Sequence, residues 1–161
     1  PIRKLADMII DTSRFNVHEL RHFIVRRFQP RARRPLMISV VSFGYRYGIP
    51  VDADLVFDVR FLPNPHFVPA LRKFSGKDPK VARYIRSFPQ TKQFLRRMEG
   101  LLLYLLPHYI REGKSYLTIA LGCTGGRHRS VMMADSVGRA LAARGYTVKS
   151  VHRDLDREVT G

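Results

Sequence analysis

The chain has 161 residues, 45% hydrophobic and 11% aromatic, with 29 Lys or Arg against 13 Asp or Glu and a net charge of +16. That is about one domain's worth of chain with enough apolar content for a real core, which excludes a disordered basic tail. The charge calls for a polyanionic partner (nucleic acid, a phosphorylated ligand or an acidic membrane face) unless it only solvates the surface.

No segment reaches the roughly 18 apolar residues of a membrane span; the longest run is 101–107. The N-terminus lacks the succession of a signal peptide. The single cysteine, Cys123, can form neither an internal disulfide nor a zinc site alone. A reducing, cytoplasmic location is the expectation, with no membrane partner and no metal.

In chain order, Ala6–Asp11 predicts a short strand and Asn16–Phe28 a helix, with Asn16 and Glu19 at capping-box spacing. Residues 21–34 hold six arginines and no acid, and the proline-flanked stretch 30–36 predicts a basic linker. Met37–Phe43 and Leu55–Val59 predict strands. Val81, Tyr84, Ile85 and Phe88 recur at helical spacing, with Lys80, Arg83 and Arg86 on another face. A second helical pattern runs from Phe94 to Leu105 and is expected to stop at Pro107. Ser115–Leu121 predicts a third strand. Ser130–Arg144 predicts a helix closed by Gly145, and Tyr146–Val151 a fourth strand. Strands separated by helices predict an α/β domain over residues 37–156, a sheet flanked by helices, ending in a parallel βαβ unit.

The strongest motif is Gly122-Cys123-Thr124-Gly125-Gly126-Arg127-His128-Arg129-Ser130, between an apolar strand and a helix. Such a loop aims backbone N–H groups at an anion, and the helix N-terminus adds positive potential. Gly125 and Gly126 permit close approach, Arg127 or Arg129 can clamp phosphate oxygens, and Thr124 and Ser130 offer hydroxyls. The Gly-Lys-Ser/Thr ending of a Walker A loop is absent. The bland alternative is a tight turn with a helix cap. Read differently, Cys123-x5-Arg129 has the spacing of a cysteine-dependent phosphatase, whose thiolate attacks phosphorus while the arginine holds the equatorial oxygens. Such an enzyme needs an acid for the leaving group, and Asp58 is the available candidate. The alternative for Cys123 is a small buried hydrophobe.

Two further segments bear on binding. A strand ending at Asp58 runs into a loop stiffened by Pro63 and Pro65, so Asp58, Arg60, Asn64 and His66 can line a pocket beside the Cys123 loop. Alternatively, Asp58 and Arg60 neutralise each other. In Ser42–Pro50, Arg46 between Tyr45 and Tyr47 can neutralise phosphate while the rings stack on bases, though aromatic residues at a turn are as often local packing. Residues 72–97 hold nine Lys or Arg and one acid, Asp78.

The stretches SFGYRYGIPVDADLVFDVRFLPNPHF (42–67), GCTGGRHRS (122–130) and VHRDL (151–155) resemble the RapZ/YvcJ family of bacterial RNase adapters and nucleotide-binding proteins. The resemblance covers nearly the whole chain. It implies that residues 37–156 are a C-terminal phosphosugar- and RNA-binding domain. It also implies that residues 1–29 are the end of an N-terminal P-loop domain and 157–161 a tail. The implied activity is adapter rather than catalyst. The domain senses glucosamine-6-phosphate, needs no cofactor of its own, binds small regulatory RNA and delivers it to an endoribonuclease, as a homo-oligomer. By position, the implied sugar-phosphate residues are Asp58, His66, Cys123, Thr124, Gly125, Gly126, His128 and Arg129. The implied RNA-binding residues are Arg46, Tyr47, Arg60 and Arg157. Family members with a basic C-terminal tail differ from this chain, which ends Asp156-Arg157-Glu158-Val159-Thr160-Gly161.

Overall fold

Alternating apolar residues in Met37–Gly44 (β1) bury Ile38 and Val40 on one face of a sheet, the period-two pattern of a half-covered strand. A computed structural model describes residue 6, residues 8–28 and residues 35–157. The remaining strands are Leu55–Asp58 (β2), Tyr116–Cys123 (β3) and Thr147–His152 (β4). All pairings are parallel, in the order β2-β3-β1-β4. The predicted α/β class is therefore the observed one. The closing βαβ unit is present, but β1 lies between its two strands.

The chain divides into two units, Pro1–Arg34 and Pro35–Gly161. In the first, helix Val17–Phe28 (α1) starts on a reciprocal cap. Asn16 N–H donates to Glu19 Oε2, and Glu19 N–H to Asn16 Oδ1, both at 2.9 Å. Asparagine thus fills the place usually held by Ser or Thr. The strand expected at Ala6–Asp11 is not formed: residues 6 and 8–11 are irregular, and Asp7 lies outside the described residues. Asp11 instead accepts from Ser13 N–H at 3.0 Å and caps a 3-10 turn, Thr12–Arg14. No partner strand in this unit offers the segment a ladder among the described residues. The linker prediction for 30–36 falls mostly outside the described residues.

In the second unit, α2 is Pro79–Ser87, capped by Asp78, and α3 is Pro89–Arg111. α3 does not stop at Pro107 as predicted. Pro107 removes one donor within the last turns, but Leu106 is fully buried and Tyr109 and Ile110 pack on the core. That tertiary packing, with Lys114 N–H donating to Tyr109 O at 3.0 Å, outweighs the local penalty. Arg129–Ala143 (α4) buries Val131, Met132, Met133, Ala134, Val137 and Leu141. It ends in a Schellman motif: Gly145 has φ 85°, Gly145 N–H donates to Ala142 O, and Tyr146 N–H to Leu141 O. A methyl group on Gly138 would sit 2.5 Å from Ser150 Oγ, so α4 approaches β4 closely there.

Between α4 and the sheet lies a buried polar chain. His152 Nε2 is 3.1 Å from Asp135 Oδ1, and His152 Nδ1 is 2.9 Å from Ser42 Oγ. The carboxylate makes Nε2 the protonated nitrogen, so in the neutral ring Nδ1 accepts from the serine hydroxyl. Burial pushes the His152 pKa down; Asp135 opposes this and Lys77 adds to it. Burial also lowers the His128 pKa. Both rings bind a proton more weakly folded than unfolded. Their contribution to stability is complete above about pH 6.5, the unfolded value, and is lost as pH falls through the lower folded values. The thermal midpoint should therefore drop between pH 7 and pH 5, and less steeply in His152→Gln. An equal slope in that variant would remove His152 from the account.

Candidate anion-binding site

Because all four strands run the same way, their carboxyl ends gather on one edge of the sheet. Gly44 pairs with Cys123, Asp58 with Gly122 and Ser42 with His152. The loops leaving those ends form the site, the usual location for ligands in open α/β sheets. From β1 comes a 3-10 turn, Tyr45–Tyr47, fastened by Arg46 N–H to Thr124 O at 3.3 Å. From β2 comes the turn Pro65–Phe67, capped by Asn64 Oδ1 on His66 N–H. From β3 comes the loop 124–128, which leads into α4.

Glycines bring the first and third loops together. A methyl group on Gly44 would lie 2.7 Å from the Gly125 carbonyl carbon. One on Gly126 would lie 2.7 Å from Gly44 N, and Gly126 also has φ +74°. Buried Asp154 holds this contact from below. Its Oδ2 accepts from Gly44 N–H at 2.8 Å, and Arg153 donates to the same carboxylate.

The three loops enclose a cavity of about 300 Å³. Arg46, Asn64, His66 and Phe67 line it from the first two loops, and Cys123, Thr124, Gly125, Arg127, His128 and Arg129 from the end of β3, the third loop and the start of α4. The backbone N–H groups of Gly125, Gly126, Arg127 and His128 donate to no described residue. The first N–H groups of α4 are unpaired by helix geometry and add to that potential.

Arg129 is 5% exposed. Its Nη1 donates to Arg60 O at 2.6 Å and Leu62 O at 3.2 Å, and its Nη2 reaches Thr124 Oγ1 at 3.4 Å. Its buried Nε has no partner, and no carboxylate pairs with it among the described residues. Burial pushes its pKa down, with Cys123 and Asp58 opposing. A buried cation without a counter-ion is costly, and a bound anion would relieve that cost. His128 presents Nε2 to Arg72 O at 3.2 Å, which makes Nε2 the donor and leaves Nδ1 an acceptor in the neutral ring. The His66 and His128 rings lie 6.4 Å apart.

Of the sequence-predicted residues, Arg46, Asn64, His66, Cys123, Thr124, Gly125, Arg127, His128 and Arg129 line the cavity. Asp58 and Gly126 do not. Asp58 grips Arg60 through Nε and Nη2, at 2.9 and 2.6 Å on Oδ2, so the mutual neutralisation foreseen as the alternative is what forms. Gly126 supports the loop through its contact with Gly44. Arg60 stacks on Tyr45 with its guanidinium carbon 4.1 Å from the ring centre. Arg157 pairs with Asp154 at 3.1 Å and lies over Tyr47 at 4.8 Å. Among the four RNA candidates only Arg46 lines the cavity, and it enters no ion pair among the described residues.

One observation counts against the phosphatase reading: hydrogen bonds from the Arg60 side chain hold the Asp58 carboxyl below its ordinary pKa, whereas a general acid needs a raised one. The Cys123 thiol lines the cavity with Ser130 Oγ 3.1 Å away, an arrangement that the phosphatase reading accommodates. Sequence reasoning placed Asn64 at the pocket but not its capping role, and it missed Phe67 as a lining residue, Asp154 as the brace, and Gly76. Gly76 N–H donates to Arg127 O at 2.9 Å, and a methyl group there would fall 2.1 Å from His128 O. Only the VHRDL stretch carried a signal for Asp154, and it assigned no role.

Residues 36–156 match the family described as the RapZ C-terminal domain. The chain belongs to the RapZ family. It is 66% identical to a nucleotide-binding protein of Koribacter versatilis over 157 residues, 96% of this chain and 51% of the relative. A nucleotide-binding protein of Acidobacterium capsulatum is 59% identical over 158 residues, covering 98% of this chain and 52% of its own length. One of Frankia casuarinae is 55% identical, covering 98% and 54%. This RapZ-family chain thus spans about half the length of the curated relatives it matches. Among the described residues no helix is long and apolar enough to cross a membrane, and no group of three metal-ligating side chains occurs.

Proposed function

We propose that the cavity binds an amino-sugar phosphate, glucosamine-6-phosphate, and that the domain binds small regulatory RNA. The observation that carries the sugar-phosphate reading is the buried Arg129 guanidinium, whose Nε has no partner and which enters no ion pair among the described residues, beside four backbone N–H groups that donate to no described residue. Those donors suit the phosphate. Asn64, His66 and His128 offer polar side chains for hydroxyls and the amine, and Phe67 offers an apolar surface. On this reading the donors hold the ligand, and the domain acts as a sensor.

RNA binding rests on the net charge of +16 and on Arg46, which lines the cavity and enters no ion pair among the described residues. Ligand and RNA then compete near the same loops. Delivery of the RNA to an endoribonuclease, and assembly into a homo-oligomer, are proposed for the longer protein in the cytoplasm.

A thermal-shift series with glucosamine-6-phosphate, glucosamine and inorganic phosphate tests the sugar-phosphate reading. The first should shift the midpoint most and phosphate less. Equal shifts for all three, or none, sink the specific sensor. Aryl phosphate turnover abolished by Cys123→Ser would instead favour the phosphatase.

A further inference from the structure

The basic segment 72–97 is not consumed by the cavity. It begins in a strap, residues 68–78, whose backbone is latched to the anion loop. His128 Nε2 donates to Arg72 O, Arg127 Nη2 reaches Lys73 O at 3.4 Å, and Gly76 N–H donates to Arg127 O. The strap therefore continues the cavity wall directly into α2. On it, Lys73 and Lys80 place their ammonium groups 5.4 and 5.6 Å from the centre of the same Phe74 ring. Arg83 follows Lys80 at i+3, and Lys77 lies between the two lysines in sequence; all four are exposed.

No acid answers them. Asp78, the one carboxylate of the segment, is committed to capping α2 through Lys80 N–H at 2.8 Å. None of Lys73, Lys77, Lys80 or Arg83 forms an ion pair among the described residues. A merely solvated helix face disperses its charges or intersperses acids. Here four exposed cations without an ion-pair partner among the described residues lie in a segment with nine bases and one acid, an excess of positive charge that a polyanion relieves.

We propose that Lys73, Lys77, Lys80 and Arg83 form a second anion surface that takes the phosphodiester backbone of RNA, running from the strap along α2. This rests on the RNA reading above and adds the surface. The surface positions RNA without reading its sequence, because lysines on a strap and helix face offer point charges rather than base-edge contacts. RNA lying along it reaches the cavity rim at Arg46 by way of the latched strap.

The test is the salt dependence of binding to a structured RNA by the whole domain, comparing wild type with Lys73→Gln/Lys80→Gln/Arg83→Gln. The slope of log K against log salt should shrink in magnitude by about 2 to 3, with equal loss for a scrambled RNA of the same fold. Arg83→Lys, which keeps the charge, should leave the slope unchanged, and unfolding midpoints check that the triple variant folds. Wild-type RNA binding with an unchanged slope in the triple variant overturns this surface and leaves the RNA reading standing. No RNA binding by wild type overturns both. Charge-dependent binding to vesicles of anionic phospholipid without RNA binding assigns the surface to a membrane and overturns the proposal.

Discussion

Gly76→Ala is expected to destabilise the domain by about 3 kcal/mol, at the upper end of the overpacking range. The added methyl group would lie 2.1 Å from His128 O and 2.7 Å from Met132 N, both backbone atoms of the α4 N-terminus. Neither can move away as a flexible side chain can. Relief would require the strap to lift, breaking the Gly76 N–H to Arg127 O bond and the His128 contact with Arg72 O. The loss should appear as a lower denaturation midpoint together with weaker glucosamine-6-phosphate binding, because the strap positions both cavity residues. Gly100→Ala is the opposite case. Gly100 lies inside α3 with nothing near its missing side chain, so alanine should stabilise by about 0.5 to 1 kcal/mol. Gly76→Ala within about 0.5 kcal/mol of wild type would show that the strap is not held against α4.

Arg129→Met is expected to weaken glucosamine-6-phosphate binding at least 100-fold, about 3 kcal/mol. The variant keeps an apolar stem of similar reach and removes the buried charge. Folding stability should change less than binding. The variant loses the donors to Arg60 O and Leu62 O but also sheds an uncompensated buried cation. Arg60→Gln provides the contrast. Its pair with Asp58 is half exposed, at 50% and 43% of the two side chains, so solvent screens it and its loss should leave the unfolding midpoint close to that of wild type. Calorimetric titration of both variants distinguishes the roles. Arg129→Met binding within threefold of wild type would remove Arg129 from the site.

Local patterns carried much of the fold. The alternation in β1, the helical spacing of Val81, Ile85, Met98 and Leu102, the Asn16–Glu19 cap and the Gly145 stop each depend on residues within a few positions of one another. They were legible for that reason. The exceptions also have a physical cause. Ala6–Asp11 is apolar enough for a strand, but a strand is completed by a neighbour's hydrogen bonds, and no partner is present in its unit among the described residues. Pro107 is a local stop signal that the buried side chains of Leu106 and its neighbours override.

The site divides along the same line. The chemistry of the Cys123–Ser130 loop belongs to its residue types and its strand-loop-helix setting, so composition and order alone pointed to an anion. Which residues face that anion was a matter of three dimensions. Asp58 and Arg60 sit two residues apart, and the sequence allows them either to line the cavity or to pair; the bend after β2 decides for pairing. The duties of Asp154 and Gly76 join residues 110 and about 50 positions apart in the chain, and no local pattern records such a contact. By itself the sequence determined the +16 charge, the α/β alternation and the strand-loop-helix setting of the glycine-rich loop. Only the tertiary structure decided that Arg129 is buried without a counter-ion and that the basic strap is latched to the same loop, because burial and long-range contact arise when the parallel strand ends converge.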